Sequence, residues 1–314
     1  MGQTHILDKQ SVIFRWNNAT PAAIEIEPGD TVVFETPEIT RGQFTQTSTA
    51  EAVTNLDFGL IHQISGPIAI KGAEPGDTLV VEILDIVPKA WGWTAIIPGF
   101  GLLGSDPVFQ EPYLKIWDLS DGHSAELKPG VRIPFEPFCG VMGVAPAEIG
   151  DFSTGAPGPH AGNIDIRQIV KGATAYIPIH VAGANFALGD VHAAQGDGEV
   201  CGSAIECEAI VTARFNLLKR HAPKDLFYRM PGAMTGSWNT AGWLGTTAHG
   251  PDLFKASQEA IRSTIFYLGR AHGLTQHEAY ILCSVCVDLK ISEIVDAPNW
   301  IVSALLPMGV FTGK

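Results

Sequence analysis

One short segment of the chain combines carboxylates, a histidine and several glycines. Residues 189–199 read Gly-Asp-Val-His-Ala-Ala-Gln-Gly-Asp-Gly-Glu. Asp190 and His192 are two residues apart, so in an extended segment both side chains project from the same face. Asp197 and Glu199 repeat this spacing directly after a glycine. Carboxylates and an imidazole that converge from a turn are the ligands that a divalent cation needs.

The charge around this segment bears on the same question. No Lys or Arg occurs between Lys171 and Arg214. The plainest interpretation is a polar hairpin tip whose acids face water. A solvated tip usually mixes charges of both signs, whereas uncompensated acids beside a histidine favour a bound cation. The sequence leaves both interpretations open.

A second polar segment precedes the first, with the sequence Gly-Pro-His-Ala-Gly-Asn-Ile-Asp-Ile-Arg over residues 158–167. Asn163, Asp165 and Arg167 alternate with two isoleucines, which in a strand would place the three polar groups on one face. In one interpretation Asp165 and Arg167 form a simple ion pair. In the other, Asp165 is a metal ligand, and Arg167 or Asn163 donates a hydrogen bond to the substrate or to a metal-bound carboxylate. His160, in the loop before them, is either a further ligand or a surface residue.

Other catalytic signatures are absent or weak. The chain has no G-x-S-x-G elbow, no phosphate-binding loop of the Walker type and no H-E-x-x-H. Residues 99–104 match G-x-G-x-x-G, but they follow a proline and do not open a helix, as a dinucleotide site requires. Cys201 is a minor candidate for a nucleophile, since no activating base is near it in the sequence. These observations favour metal-assisted hydrolysis.

The elements that must position these residues are predicted to be strands and turns. The 34 Gly and 21 Pro of the 314-residue chain predict frequent turns. The phrase Glu-Pro-Gly-Asp-Thr occurs at residues 27–31 and 74–78, each time before a β-branched run, which is typical of a hairpin or sandwich corner. Its aspartate is expected to serve the turn rather than a ligand. Further strands are predicted at residues 64–70, 174–181 and 205–215.

Residues 91–107, Trp-Gly-Trp-Thr-Ala-Ile-Ile-Pro-Gly-Phe-Gly-Leu-Leu-Gly-Ser-Asp-Pro, show no helical period and predict a long packed loop. Such loops often line a pocket in enzymes. Trp91, Trp93 and Gly99 are therefore candidate substrate-binding residues, and the loop is expected to limit the length of the acyl group.

The last part of the chain is predicted to be helical. Residues 253–273 follow helical spacing up to a glycine stop. Thr275 and Glu278 make a capping box ahead of an apolar helix over residues 279–289. We expect this helical hairpin to pack against a sheet, with a subunit contact as one candidate place. The chain is then expected to divide into a β-rich catalytic region and a helical hairpin with the C-terminal segment, residues 1–250 and 251–314.

Composition excludes several classes of protein. Hydrophobic residues make up 46% of the chain and charged residues 17%, which excludes a disordered chain. The net charge of −13 repels phosphate backbones and anionic lipid, so neither nucleic acid nor membrane is an expected partner. No apolar run reaches about 18 residues, and the N-terminal segment lacks the apolar core of a signal peptide. Five cysteines are an odd, sparse set, and we expect a cytoplasmic protein.

Four motifs together resemble the acetamidase/formamidase family, in the family's order and over nearly the whole chain: residues 65–83, 162–167, 189–206 and 278–299. The length resembles the shorter, acetamidase-like members. The resemblance implies hydrolysis of small linear amides, such as formamide or acetamide, to carboxylate and ammonia. It also implies a mainly β (α+β) fold, with a jelly-roll-like β-sandwich, a barrel-like β part and small α elements. Members are often homo-oligomers, and zinc or calcium is associated with some of them.

The residue chemistry then suggests a metal site. Asp165, Asp190 and His192 are the expected ligands of a divalent ion, with His160 as a further candidate. Oxygen-rich ligands favour calcium or magnesium, whereas aspartate together with histidine allows zinc, so the identity of the metal stays open.

The remaining polar residues are candidates for the reaction itself. Glu199 or Asp197 is expected to be the general base that acts with a metal-activated water and then protonates the leaving ammonia. Gln195, Asn163 or Arg167 is expected to stabilise the oxyanion. Two alternatives stay open: a non-catalytic small-molecule or metal-binding protein on the same scaffold, and a hydrolase of another C–N bond, such as that of cyclic or larger amides.

Overall fold

Strands dominate the fold. The computed structural model describes residues 2–230, 238–295 and 297–312. About 40% of the chain is strand and 15% is helix, and the main sheet curls into a half-barrel. The predicted fold class, mainly β with a C-terminal helical hairpin, is confirmed. No helix in the described ranges is long and apolar enough to cross a membrane.

The described residues contain 21 strands and three α-helices. The strands are β1 Thr4–Leu7, β2 Val12–Ile13, β3 Arg15–Trp16, β4 Ile24–Ile26, β5 Thr31–Thr36, β6 Ile64–Ile70, β7 Thr78–Ile96, β8 Tyr113–Asp118, β9 Ser124–Lys128, β10 Val131–Pro134, β11 Phe138–Gly143, β12 Phe152–Ser153, β13 Pro157–Gly158, β14 Ala161–Asn163, β15 Thr174–Pro178, β16 Phe186–His192, β17 Glu206–Leu218, β18 Phe227–Arg229, β19 Trp243–Gly250, β20 Asp288–Glu293 and β21 Trp300–Pro307. The helices are α1 Ala50–Thr54, α2 Leu253–His272 and α3 Gln276–Cys286.

Strand β16 lies at the centre of the 14-stranded main sheet and pairs with β11, β6 and β17. Its last residue, His192, lies opposite Phe138 of β11 and Glu206 of β17. Gly189 lies opposite Ile64 of β6. Every residue of β16 is buried, because the strand has paired neighbours on both sides and side chains packed on both faces. The register thus gathers residues from four distant parts of the sequence at the end of one strand.

The aromatic-rich segment predicted as a loop over residues 91–107 begins instead as a strand. β7 continues to Ile96 and pairs with β8, with Ile96 opposite Tyr113. The prediction of a loop was wrong for residues 91–96 because tryptophans pack well on a pleated surface and Trp93 is buried there.

The two Glu-Pro-Gly-Asp-Thr phrases make the same turn. In each copy the aspartate carboxylate accepts the backbone N–H three residues earlier, at 3.1 Å for Asp30 and 2.9 Å for Asp77. Each carboxylate also binds a distant basic side chain, His5 at 2.8 Å from Asp30 and Lys219 at 2.5 Å from Asp77. As predicted, the aspartates hold turns together.

The longer C-terminal helix packs on a separate sheet, and α3 lies against it and also contacts β7 of the main sheet. Helix α2 lies against β19 and β21 of a three-stranded sheet ordered β19-β21-β20. It ends at Gly273, which has a φ of 60°, and Thr275 with Glu278 forms the predicted capping box of α3. α3 ends at Cys286, earlier than expected, because Asp288 already begins β20. The division of the chain at residue 250 stays a prediction, and β19 pairs with β21 across that boundary.

Candidate active site

A cavity of about 260 Å³ lies beside the end of β16. Four carboxylates line part of it, those of Asp165, Asp190, Glu199 and Glu206, together with the imidazole of His62. None of the described residues that line the cavity is a lysine or an arginine. The cavity therefore concentrates negative charge without a permanent cation to balance it.

The carboxylates surround a buried histidine. His192 Nε2 lies 3.3 Å from Asp190 Oδ1 and 3.1 Å from Glu206 Oε2, and all three side chains are at least 96% buried. One ligand atom from each of Asp165, Asp190 and His192 lies within 4.8 Å of the other two, and the same holds for His192, Glu199 and Glu206. Three of the residues predicted as metal ligands therefore lie together.

The backbone at this cluster is held in an unusual conformation. Asp165, Asp190 and Glu199 all have left-handed φ values, 47°, 54° and 41°. Such conformations cost free energy for residues other than glycine and persist where surrounding structure fixes them, commonly at functional sites. Here the carbonyl of Gly140 accepts the N–H of Asp165 at 3.1 Å, which fixes one of them against β11.

Gly140 also leaves the space in which the cluster meets. A Cβ atom at this position would lie 2.7 Å from Asp165 Oδ1, from Asp190 Oδ2 and from His192 Cε1. These distances are shorter than any real Cβ contact, so only glycine leaves the three side chains free to converge.

The orientation of His192 follows from its neighbour Gln195. The Gln195 amide NH₂ donates to the backbone carbonyl of Asp165 at 3.1 Å, so its Oε1 must be the atom that faces His192 Nδ1 at 2.8 Å. Nδ1 therefore carries a proton and donates a hydrogen bond to Gln195 Oε1. In the neutral ring the lone pair is then on Nε2, which faces Asp190 and Glu206, as in a metal-binding histidine.

The electrostatics of the cluster reflect crowded, buried acids. Burial raises the pKa of Asp165 and of Glu206 to about 7 in each case, although His192 opposes the shift. Burial likewise raises the pKa of Glu199 well above its ordinary value. Burial disfavours the charged form of Asp190 as well, yet the two neighbouring imidazoles hold the pKa of Asp190 below its ordinary value. Without a cation, the cluster therefore retains protons that a bound cation would displace.

The donor atoms present fit a divalent ion. His192 Nε2, Asp165 Oδ1, Asp190 Oδ1 and Glu206 Oε2 are all buried, and none of them makes a hydrogen bond of good geometry. Nε2 has only its ion-pair contacts to Asp190 and Glu206. Buried polar atoms without partners are rare, because each costs free energy. Carboxylates with one imidazole are a ligand set used for divalent metals.

Two residues predicted to act in catalysis lie in a neighbouring ion-pair network instead of at the cavity. Arg167 pairs with Asp288 and, at 2.9 Å, with Glu136. The backbone N–H of Asp197 donates to the same Asp288 carboxylate at 3.1 Å. The predicted alternation of polar side chains does not form because β14 ends at Asn163 and Asp165 is left-handed. Any part of Arg167 or Asp197 in the reaction stays a prediction.

Of the other predicted site residues, some line the cavity and some lie away from it. Asn163 and Trp93 line the cavity. Trp91 lines a separate surface depression, and Gly99 does not line the cavity, although the next residue does. His160 packs edge-on against a tryptophan ring outside the cavity lining, with the ring centroids 5.2 Å apart.

Sequence reasoning gave no role to Glu206 and little weight to His62. His62 Nε2 lies 3.9 Å from Asp190 Oδ2. His62 comes two residues before β6, whose Ile64 pairs beside Asp190, so only the strand register brings it in. Glu206 is the last residue of the 189–206 motif. Its position opposite His192 depends on the pairing of β16 with β17, which the sequence does not indicate. Burial raises the pKa of Cys201 to about 11, which disfavours the thiolate that a nucleophile needs.

Comparisons with known proteins agree on one family. Residues 2–149 and 151–313 match the sequence model described as the Acetamidase/Formamidase family. The formamidase of Methylophilus methylotrophus is 27% identical, over 95% of this chain and 88% of its own length. A γ-lactamase from Delftia acidovorans is 26% identical with a TM-score of 0.91, over 99% of this chain and 94% of that one. An acetamidase from Bacillus halodurans is 32% identical with a TM-score of 0.67, over 98% and 100%.

Proposed function

The chain belongs to the acetamidase/formamidase family, as its motifs predicted, and we propose that it hydrolyses small neutral amides. In the reaction, the oxygen of a water molecule bonds to the carbonyl carbon, the C–N bond breaks, and carboxylate and ammonia leave. The observation that carries the proposal is the convergence of four carboxylates and two imidazoles at one cavity without a lysine or arginine among its described lining residues.

His192, Asp190, Glu206 and Asp165 would hold a divalent ion through these four buried nitrogen and oxygen atoms. Such an ion polarises a carbonyl oxygen and lowers the pKa of water. Gln195 contributes by keeping His192 in the tautomer that presents Nε2 to the cluster.

Glu199 is the proposed general base, in preference to Asp197. It lines the cavity beside the proposed ligands, where it could accept a proton from water and return it to the leaving nitrogen, and burial raises its pKa, the direction that favours proton acceptance. Asp197 is instead held by Gln168 and by the network around Asp288. Asn163 lines the same cavity and is the proposed donor to the developing oxyanion.

Ammonia release from formamide, acetamide and propionamide tests the function. We expect turnover that disappears on exhaustive chelation and returns with added Zn²⁺ or Mn²⁺. The variant Glu199→Gln should lose at least a hundredfold in kcat, whereas the exposed control Glu74→Gln should not. Absence of turnover with metal restored, while the ion still binds, would favour the alternative of a non-catalytic metal-binding protein.

Zinc is the proposed ion in preference to calcium. An imidazole nitrogen at the centre of the cluster suits zinc, whereas calcium takes six to eight oxygen ligands. Elemental analysis of protein purified without added metal distinguishes the two.

We further propose a cytoplasmic homo-oligomer that binds neither nucleic acid nor membrane. All five cysteines are free and buried, as is common in a reducing compartment. Phe254 and Phe266 on α2 are 60% and 66% exposed, which suits a contact between copies of the chain. Light scattering measures the assembly state directly, and a monomer at micromolar concentration would contradict this part.

A cyclic amide is the second candidate substrate. The similarity to the γ-lactamase, with a TM-score of 0.91 over 99% of the chain, favours it. Hydrolysis of 2-pyrrolidinone faster than that of acetamide would support the cyclic substrate, and the reverse order would support the linear one.

A further inference from the structure

The cavity beside the carboxylates has an apolar part that formamide or acetamide would leave unfilled. At about 30 Å³ for each water-sized group, its 260 Å³ has room for roughly eight or nine non-hydrogen atoms. Acetamide has four and formamide three. The apolar lining consists largely of four aliphatic side chains and two phenylalanine rings: Ile39, Leu56, Ile61, Ile97, Phe58 and Phe100.

The two phenylalanines stand where the cavity meets solvent. Phe58 is 52% exposed and Phe100 is 49% exposed, and their ring centroids are 6.4 Å apart at an angle of 55°. Exposed aromatic surface that borders a cavity is available to a ligand and gains free energy when a ligand covers it.

Local structure holds both rings in place. Phe58 begins a short 3₁₀ turn, and the carboxylate of Asp57 caps this turn by accepting the Gly59 N–H at 2.8 Å. The ring of Phe100 lies against Gly202, where a Cβ atom would be 2.4 Å from two of its carbons. These contacts place both side chains at the opening.

The same lining selects against charged substrates. A carboxylate placed among the aliphatic side chains would lose its hydration, and no lysine or arginine of the described lining could compensate it. The carboxylates at the other part of the cavity add repulsion.

We propose, on the basis of the amide hydrolysis argued above, that the preferred substrate is a neutral amide with a bulky apolar acyl group. The amide carbon would lie at the carboxylate cluster, and a branched aliphatic or aromatic acyl group would lie against the aliphatic lining, beside the rings of Phe58 and Phe100.

A substrate series tests this with the metal-loaded enzyme. We expect kcat/KM to rise from acetamide through propionamide to isobutyramide by about fourfold for each buried carbon, to be high for benzamide, and to be undetectable for succinamate. Acetamide hydrolysed as well as isobutyramide and benzamide would overturn the proposed preference while leaving amide hydrolysis intact. Failure of every amide would overturn the proposed function itself.

Variants at the opening separate specificity from general damage. Phe58→Ala and Phe100→Ala should each lower the ratio of kcat/KM for benzamide to that for acetamide by roughly tenfold, and Phe100→Leu should restore part of it. Phe227→Ala removes a phenylalanine on β18 that is 45% exposed and lies outside the cavity lining, and it should leave the ratio unchanged. An unchanged ratio in both opening variants would overturn the assignment.

Discussion

Gln195 Oε1 accepts a hydrogen bond from His192 Nδ1 at 2.8 Å, and the orientation of that amide is set in turn by the backbone carbonyl of Asp165. One side chain thus connects the segment that carries Asp165 with the imidazole at the centre of the cluster. A ligand's orientation is commonly fixed in this way by a group that never touches the metal.

Replacing Gln195 with Leu should therefore weaken metal binding and activity together. We expect a loss of about 10- to 100-fold in metal affinity, measured by competition with a chromophoric chelator. The control is Gln110→Leu, which removes a glutamine whose amide donates to two backbone carbonyls but lies outside the cluster. Equal metal affinity in the Gln195 variant and the wild type would show that Gln195 does not set the orientation of His192.

Gly140→Ala should abolish the cluster without removing any polar group. The new methyl would need to occupy space 2.7 Å from Asp165, Asp190 and His192, so the side chains could no longer converge on an ion. Isothermal titration should detect no tight metal binding. Gly250→Ala, where nothing lies within 4 Å of the new atom, is the control that should bind normally. Normal titration by both variants would contradict the proposed ligand set.

Arg167 and Asp288 should contribute to the free energy of unfolding as a coupled pair. The side chains are only 14% and 9% exposed, so removing one partner leaves an uncompensated buried charge at a cost of about 3–5 kcal/mol. Arg167→Leu and Asp288→Leu should each be strongly destabilising, whereas the double variant should lose less than the sum. Denaturant unfolding of the four proteins measures the coupling, and additive losses would contradict it.

The buried carboxylate of Asp77 should make the free energy of unfolding depend on pH. Despite its burial, the pKa of Asp77 is lowered below its ordinary value by Lys219 and by two backbone N–H groups. A lowered native pKa means that the carboxylate stabilises the fold above the unfolded pKa, about 3.9, and that this stability is lost as the pH falls through the native value.

Asp77→Asn should therefore lower the free energy of unfolding at pH 7 by about 1–3 kcal/mol, with a difference that shrinks below about pH 4. The neighbouring exposed Glu74→Gln is the control that should leave the free energy of unfolding unchanged. A difference that is independent of pH would show that the charge of Asp77 is not what stabilises this turn.

Local chemistry explains which features could be predicted from the sequence. The glycine stop at residue 273 and the Thr275–Glu278 capping box are local signals, and the structure contains both. The cluster of Asp165, Asp190 and His192 was also predictable, because Asp190 and His192 lie in a stretch without lysine or arginine and Asp165 belongs to the polar segment that precedes it.

What could not be predicted depends on register and backbone conformation. The left-handed backbone at Asp165 and Glu199 breaks the two-residue alternation. Arg167 and Asp197 therefore reach the network around Asp288 instead of the cavity. His62 enters the cluster only because Ile64 pairs with Gly189. Spacing along a chain contains neither kind of information.

The central place of β16 has a consequence for how the molecule matures. The strands that enclose the cluster join residues as far apart as Thr36 and Ala209, 173 positions in sequence. Pairings of such long range form late, because the loop between them must close first. A nascent chain that is still shorter than 206 residues lacks Glu206, and therefore lacks one of the proposed metal ligands. The proposed ion would therefore bind tightly only after these strands have paired, and its uptake would report closure of the sheet.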